Sequence, residues 1–485
     1  MLTEKEQIEI ANAFIGDPVW GIEDFFQCKL WEKQTEIVES VLVKKNRKTA
    51  VRSCHDAGKS FIAARVALAY LALNPNSLVI TTAPSWTQVK EILWRELRSA
   101  YEKMDNRYPL MGVGAKELGT SLEFGVNWYA MGIATRKESD VSEVAERMLG
   151  FHSTTGKILV IVDEGSGVAE PIWGSIDGLL TSDQAQLLAI GNPYRKTGTF
   201  AKLFTMPGVY KVHIEDKDIP NIKEGKPIIP GLMSPSYPQE MASKYGIDSN
   251  LYKIKVKGDF PSSESDTLIA LEYLEDAFNR EIDEPSVVEK TLGVDVARFG
   301  SNFTVLVVRQ GKKVLKKYKY GKEDTMQTVG RVLKVMEEEK IKPENVFIDV
   351  IGVGGGVVDR LQEKGYNVNG VGVGENGDDV EHFKNIRAEA YWKIREWIKT
   401  ASIMRDDDFL QLVNIKYKYS SAKKGQLIIE SKDEMAKRGL ESPDVADALM
   451  LTFSGVNTVP LPDQREDEED DRGRPMTRGL MDMEF

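Results

Sequence analysis

The chain has 485 residues, 41% of them hydrophobic and 29% charged, with a formal net charge of −11. That is enough apolar material for two separately cored domains, and the acidity argues against a uniformly basic nucleic-acid coat while leaving room for a local basic groove. Two cysteines, Cys28 and Cys54, cannot build a disulfide framework, no secretory signal is evident, and no apolar run nears the roughly 20 residues that span a bilayer, so the expectation is an intracellular protein with no membrane role.

From Thr49 to Asn192, apolar runs at 49–53, 78–82, 128–132, 158–162 and 187–191 alternate with longer amphipathic stretches, the pattern of strands alternating with covering helices. Between the first two lies Phe61 to Leu73, rich in alanine and leucine and free of glycine and proline, which predicts a helix. The resulting βαβ unit implies a parallel sheet buried on both faces. After Pro193 the chain is punctuated by proline and glycine to about Pro261, which suits a small subdomain better than more sheet. Ser262 to Asp266 and Glu281 to Ser286 are polar enough to be connections. A second set of strands begins at Lys290, with Leu292 to Val296 and Phe303 to Arg309 as a hairpin turning at Arg298 to Asn302, Lys312 to Tyr320 as a third strand and Val346 to Ile351 as another. Ile386 to Lys399 and Asp444 to Phe453 read as helices. Residues 461–485 hold nine acids against four arginines, a net of −5, and are expected to be a disordered tail.

In Arg52-Ser53-Cys54-His55-Asp56-Ala57-Gly58-Lys59-Ser60 a strand runs into a tight loop and the loop into a helix, the context of a phosphate-binding loop. Backbone N–H groups and the helix N-terminus would face the phosphates of ATP, Lys59 would reach the terminal ones, and Ser60 would hold Mg²⁺. Ser53 stands where a first glycine is usual, and Asp56 adds a like charge that is expected to point outward or to pair with Arg52. The buried run Ile158 to Val162 ends in Asp163-Glu164, where parallel sheets bind ligands. Asp163 would hold Mg²⁺ through water, and Glu164 would act as general base on the attacking water. Asn192, in the turn Gly191-Asn192-Pro193, is a candidate γ-phosphate sensor, and Gln34 a candidate reader of the adenine edge. Arg52, Arg136 and Arg147 are the candidates for an arginine placed against the γ-phosphate.

In the second half, Leu292-Gly293-Val294-Asp295-Val296 and Val346-Phe347-Ile348-Asp349-Val350 each put one carboxylate inside an apolar strand, which is costly unless it is paired or metal-bound. Asp444 and Asp447 share a helix face at i, i+3 after Pro443. Two strand acids and a helix acid make an oxygen-rich cluster suited to hard divalent ions and to phosphodiester cleavage. Gly352-Val353-Gly354-Gly355-Gly356 misses the dinucleotide spacing and is expected to be a flexible loop. Lys384, Arg387, Lys393, Arg395, Lys423, Lys424, Lys432, Lys437 and Arg438 could track phosphates.

A phosphate-loop motor followed by an acid cluster resembles the large terminase subunit of tailed phages. The resemblance covers nearly the whole chain and rests on Val51 to Ser60, Thr82 to Ser85, Gly150 to His152, Val162 to Gly167, Ile190 to Pro193, Gly293 to Ala297 and Ser442 to Leu449. It implies an α/β fold: an N-terminal P-loop ATPase domain (1–265) with a parallel sheet and a lid subdomain at about 195–265, a linker (266–286), and a C-terminal ribonuclease-H-like nuclease domain (287–460) before the acidic tail (461–485). It also implies that the protein hydrolyses ATP to pump double-stranded viral DNA through a portal protein into a procapsid and cuts concatemeric DNA. Metal ligands carry over as Asp295, Asp349 and Asp444, with Asp447 as a further or outer-shell ligand, for Mg²⁺ or, at the nuclease site, Mn²⁺. A small terminase subunit, a homo-oligomeric ring on the procapsid and action in the host cytoplasm outside the mature virion complete the expectation. Ser53, Asp56 and the lack of acids in Gly300-Ser301-Asn302 depart from the family pattern. The readings set beside it are an ATP-dependent helicase or repair nuclease, which would normally carry a second motor fold, and a DNA-binding assembly factor with degenerate sites.

Overall fold

The structure is a computed structural model that describes residues 4–104, 116–134, 140–262, 266–283, 285, 287–297, 303–321, 323–420 and 425–455. The acidic tail, Arg136, Lys423, Lys424 and the turn at 298–302 lie outside the described residues.

Eight strands form the first sheet: β1 (Lys48–Ser53), β2 (Leu78–Thr82), β3 (Lys116–Leu118), β4 (Ser121–Gly125), β5 (Trp128–Gly132), β6 (Ile158–Val162), β7 (Gln186–Gly191) and β8 (Tyr210–Ile214). Their order is β3-β4-β5-β2-β6-β7-β1-β8. Pairing is parallel from β5 through β8 and antiparallel among β3, β4 and β5. Every residue of β2, β6 and β7 is buried, which is why these strands read as unbroken apolar runs. Alternate residues feed two cores. Val51, Val79, Leu159 and Ile161 pack on the face of the helix Lys59–Leu73, while Ala50, Ile80, Val160 and Val162 meet Ile172, Trp173 and Ile176 on the other. Because β1, β6 and β7 are parallel, their C-terminal ends share one edge, and β7 separates the loop strand from the acidic strand. The stretch after Pro193, expected to suit a small subdomain better than more sheet, contributes the edge strand β8. Its Tyr-Lys-Val-His-Ile alternation buries only Val212 and Ile214, too short a signal to stand out among the neighbouring glycines and prolines.

The second sheet contains β9 (Lys290–Asp295), β10 (Phe303–Gln310), β11 (Lys313–Gly321), β12 (Val346–Asp349) and β13 (Asn369–Val371), in the order β11-β10-β9-β12-β13. The first three are antiparallel, and β12 and β13 continue parallel to β9, a ribonuclease-H-like arrangement. Thr325–Glu339 and Gly354–Glu363 cover one face through Val329, Val332 and Val357. Ile386–Ile398 and Asp444–Leu451 cover the other through Tyr391, Val445 and Ala448. A short hairpin, β14 (Tyr417–Tyr419) and β15 (Leu427–Ile429), stands beside them. Within 266–286, Leu271–Asn279 forms a helix whose Leu274 and Ala277 are buried. Met241, Tyr245, Leu251 and Ile254 share this helix's core with the second sheet.

The glycine run after Asp349 is a helix start and not a flexible loop. A Cβ on Gly354 would lie 1.8 Å from the Asp349 carbonyl oxygen, so only glycine lets the helix begin against the strand end. Among the described residues, no helix is long and apolar enough to cross a membrane.

Candidate active sites

At the end of β1 the chain turns through residues 54–58 into the helix Lys59–Leu73, with Asp56 (φ 46°) and Gly58 (φ 70°) both left-handed. Aspartate is among the few non-glycine residues that tolerate this region, so Asp56 can hold a turn position where glycine would be ordinary. Its exposed carboxylate lies 3.6 Å from His55 Nε2. Arg52 instead pairs with Asp259 at 2.9 Å and lies over the rings of Phe204 and Phe260. Strand alternation sends Arg52 to the side opposite Ser53, and Asp56 takes the outward of its two expected orientations. Ser53 is fully buried, its hydroxyl donating to the Cys54 carbonyl at 2.9 Å. Gly258 (φ 60°) packs directly against the start of the loop, where a Cβ would fall 2.6 Å from Cys54 N. Gln34 is buried beside the loop, with Nε2 2.8 Å from where a Cβ on Gly58 would stand.

The strand ends converge on the start of this helix. Ser60 Oγ donates to Asp163 Oδ2 at 2.7 Å, while Lys59 Nζ donates to Asn192 Oδ1 at 3.1 Å and lies 3.6 Å from Glu164 Oε1. Asn192 also donates through Nδ2 to the Ser53 carbonyl at 2.7 Å, and its backbone N–H reaches Glu164 Oε2 at 3.3 Å. Gly191 permits the approach, since a Cβ there would come within 3.2 Å of the Glu164 backbone. Burial, reinforced by the Glu164 charge, pushes the Asp163 carboxyl up to about 6, against the hydrogen bond from Ser60. A neighbouring cation would relieve that cost, and a hydroxyl beside a strand-end carboxylate is a donor set suited to Mg²⁺. Arg147 is exposed on the helix Val141–Leu149.

In the second sheet, Asp295 ends β9 and Asp349 ends the adjacent β12, while Asp444 and Asp447 project from the helix packed across them. All four line one cavity of about 870 Å³, together with Lys384 and Lys432. The helix can lie this close because of Gly293, where a Cβ would be 2.0 Å from the Ala448 carbonyl oxygen. Gly293→Ala is therefore expected to cost about 2 kcal/mol of stability by overpacking and to displace both helix acids. Thermal melting tests this, and an unchanged melting temperature would contradict it.

The four acids are not equivalent. Burial raises Asp295, Asp349 and Asp444 above the usual carboxylate range, and the neighbouring Asp447 charge adds to each shift. Burial also opposes ionisation of Asp447, but Arg387 and Lys432 outweigh it and hold that group low. Asp447 Oδ1 accepts from Tyr391 Oη at 2.6 Å and Arg387 Nη2 at 3.4 Å, while Oδ2 lies 2.9 Å from Lys432 Nζ. Lys432 is also 3.9 Å from Asp295. Among the described residues, no three His, Cys, Asp or Glu side chains form a closed chelating set. The Lys432 ammonium between Asp295 and Asp447 supplies positive charge there, and the donor set, all carboxylate, is nonetheless of the kind that hard divalent ions take.

Several of the basic residues are engaged within the protein: Arg387 with Asp447, Lys393 with Glu389, Arg395 with Glu396, and Arg438 with Glu430. Lys384, Lys418 and Lys437 line the cavity. Tyr391 was not legible as a site residue, because its periodicity is that of a core aromatic and only the fold brings it to Asp447.

No family model matches the chain. It is 24% identical over 463 residues to the "Probable terminase, large subunit" of Enterobacteria phage P7, covering 90% of each chain. Along nearly its whole length the chain is thus similar to a probable large terminase subunit. Solved terminase structures also match. The large terminase of the thermophilic bacteriophage D6E is 13% identical with a TM-score of 0.40, over 87% of this chain and 98% of that one. The nuclease domain of the large terminase subunit gp2 of bacterial virus Sf6 is 19% identical with a TM-score of 0.33, over 40% of this chain and 100% of that one.

Proposed function

We propose that the chain is a packaging motor and nuclease in one: it hydrolyses ATP to move double-stranded viral DNA into a procapsid and cleaves concatemeric DNA as an endonuclease. The observation that carries this reading is the pair of sites, with Lys59, Ser60, Asp163, Glu164 and Asn192 linked at one sheet edge and four aspartates lining one cavity on the other sheet. Mg²⁺ would be held by Ser60 and Asp163 at the first site, and Mg²⁺ or Mn²⁺ by Asp295, Asp349 and Asp444 at the second, where the ions would supply Lewis acidity toward water and the leaving oxygen. Asp447, committed to Tyr391, Arg387 and Lys432, serves as the outer acid that orients these groups.

At the motor site the free backbone amides that open the helix cradle the phosphates, and Lys59 neutralises the terminal one. Glu164 takes the proton of the attacking water. Lys59 now lies between Asn192 and Glu164, so a terminal phosphate that draws Lys59 away loosens Asn192 from it while Nδ2 keeps the Ser53 carbonyl. Loss of that phosphate after hydrolysis restores the contact, which makes Asn192 the sensor of product release. A portal protein, a small terminase subunit and further copies of this chain are the partners, and the host cytoplasm is the site of action.

The protein, supplied with its phage's procapsids, small subunit, DNA and ATP, is expected to render DNA resistant to added nuclease, and Lys59→Ala is expected to abolish that protection. ATP turnover without protected DNA under conditions where the same procapsids package from an infected extract would favour the helicase or repair-nuclease reading. Absence of any ATP turnover would favour the assembly-factor reading.

A further inference from the structure

The helix that carries Asp444 and Asp447 begins at Asp444 behind Pro443, which has no side-chain acceptor for the first amides. The acceptor comes from elsewhere in the chain. Gln411 Oε1 accepts from Val445 N at 2.9 Å and Ala446 N at 3.2 Å, and Gln411 Nε2 donates to the Ser442 carbonyl at 3.4 Å. The two donors and the carbonyl leave one orientation of the amide that satisfies all three contacts. One side chain therefore grips the backbone on both sides of Asp444.

Gln411 itself stands on a firm base. It belongs to the 3₁₀ helix Asp407–Asn414, whose Leu410 and Leu412 are buried. The start of that helix is pinned three times: the Asp406 side chain accepts from Asp408 N at 2.9 Å, Lys255 donates to Asp407 at 3.0 Å, and Lys317 donates to Asp408 at 2.6 Å.

We propose that Gln411 is a positioning residue of the carboxylate site, acting as an N-cap supplied from a distant segment that sets where Asp444 and Asp447 stand toward a divalent ion. This rests on the reading of that site as a metal-dependent nuclease. Groups that orient ligands from behind are worth about tenfold or more in metal affinity.

The test is calorimetric titration of the full chain with MnCl₂, without nucleotide, for the wild type, Gln411→Ala, Gln411→Glu and Asp349→Ala. Gln411→Ala is expected to weaken Mn²⁺ binding about tenfold with ATP turnover unchanged. Gln411→Glu, whose carboxylate still accepts both amides, is expected to return to within about threefold of the wild type. Wild-type Mn²⁺ affinity in Gln411→Ala, with binding lost in Asp349→Ala, would overturn the proposal and leave the metal reading intact. A Gln411→Glu protein as weak as Gln411→Ala would show that accepting the two amides does not set the position of the acids, and would overturn it as well. Undiminished Mn²⁺ binding in Asp349→Ala would sink the metal reading itself, and the proposal with it.

Discussion

Glu164→Ala is expected to lower ATP turnover by at least about 10²-fold while nucleotide affinity stays within a few-fold of the wild type, since general-base assistance contributes on this scale. Glu164 makes the contacts that single it out. It sits at φ 48°, an uncommon conformation for glutamate, and directs Oε1 toward Lys59 and Oε2 toward the Asn192 amide. Asp163, its neighbour in sequence, is instead committed to Ser60 and to the Glu164 backbone N–H at 3.0 Å. On the proposed reading the two acids have different tasks, one toward the ion and one toward water. Phosphate release measured beside fluorescent-nucleotide binding checks this, and unchanged turnover in the variant would refute the assignment.

Asp349→Ala is expected to abolish plasmid cleavage in Mg²⁺ or Mn²⁺ and to leave ATP turnover intact. Asp349 is less buried than Asp295 or Asp447 and opens on the cavity, with Oδ1 receiving the Ile351 amide at 2.9 Å. Removing it would take a donor from a bound ion without stripping the largely buried Arg387 of its carboxylate, as Asp447→Ala would do. The Asp447 variant is accordingly expected to lose thermal stability together with activity, so Asp349 is the cleaner probe. Cleavage that persists in purified Asp349→Ala would place the nuclease elsewhere.

Most of the first sheet was legible because parallel strands buried on both faces are apolar without interruption, as in Ile158 to Val162 and Leu187 to Gly191. The acids were legible because carboxylates at the ends of apolar strands demand a reason. What escaped was of another kind. Gly258, Gln411 and Tyr391 act on segments far away in the chain, and no local pattern marks such contacts. The glycines after Asp349 were misread for a related reason: glycine in a run suggests flexibility, whereas Gly354 is required by a carbonyl 1.8 Å from its missing Cβ. Arg52's partner Asp259 lies some two hundred residues away in the chain, and no local pattern marks that pairing either.

Two separate hydrolytic sites on one chain should be separable by mutation, which ATP turnover and plasmid cleavage measured side by side on the wild type, Glu164→Ala and Asp349→Ala will decide. Both activities are expected in the wild type, with Glu164→Ala losing turnover but still cleaving, and Asp349→Ala losing cleavage but still turning over ATP. A wild type lacking either activity, or variants that retain the activity assigned to the altered residue, would contradict the two-site reading.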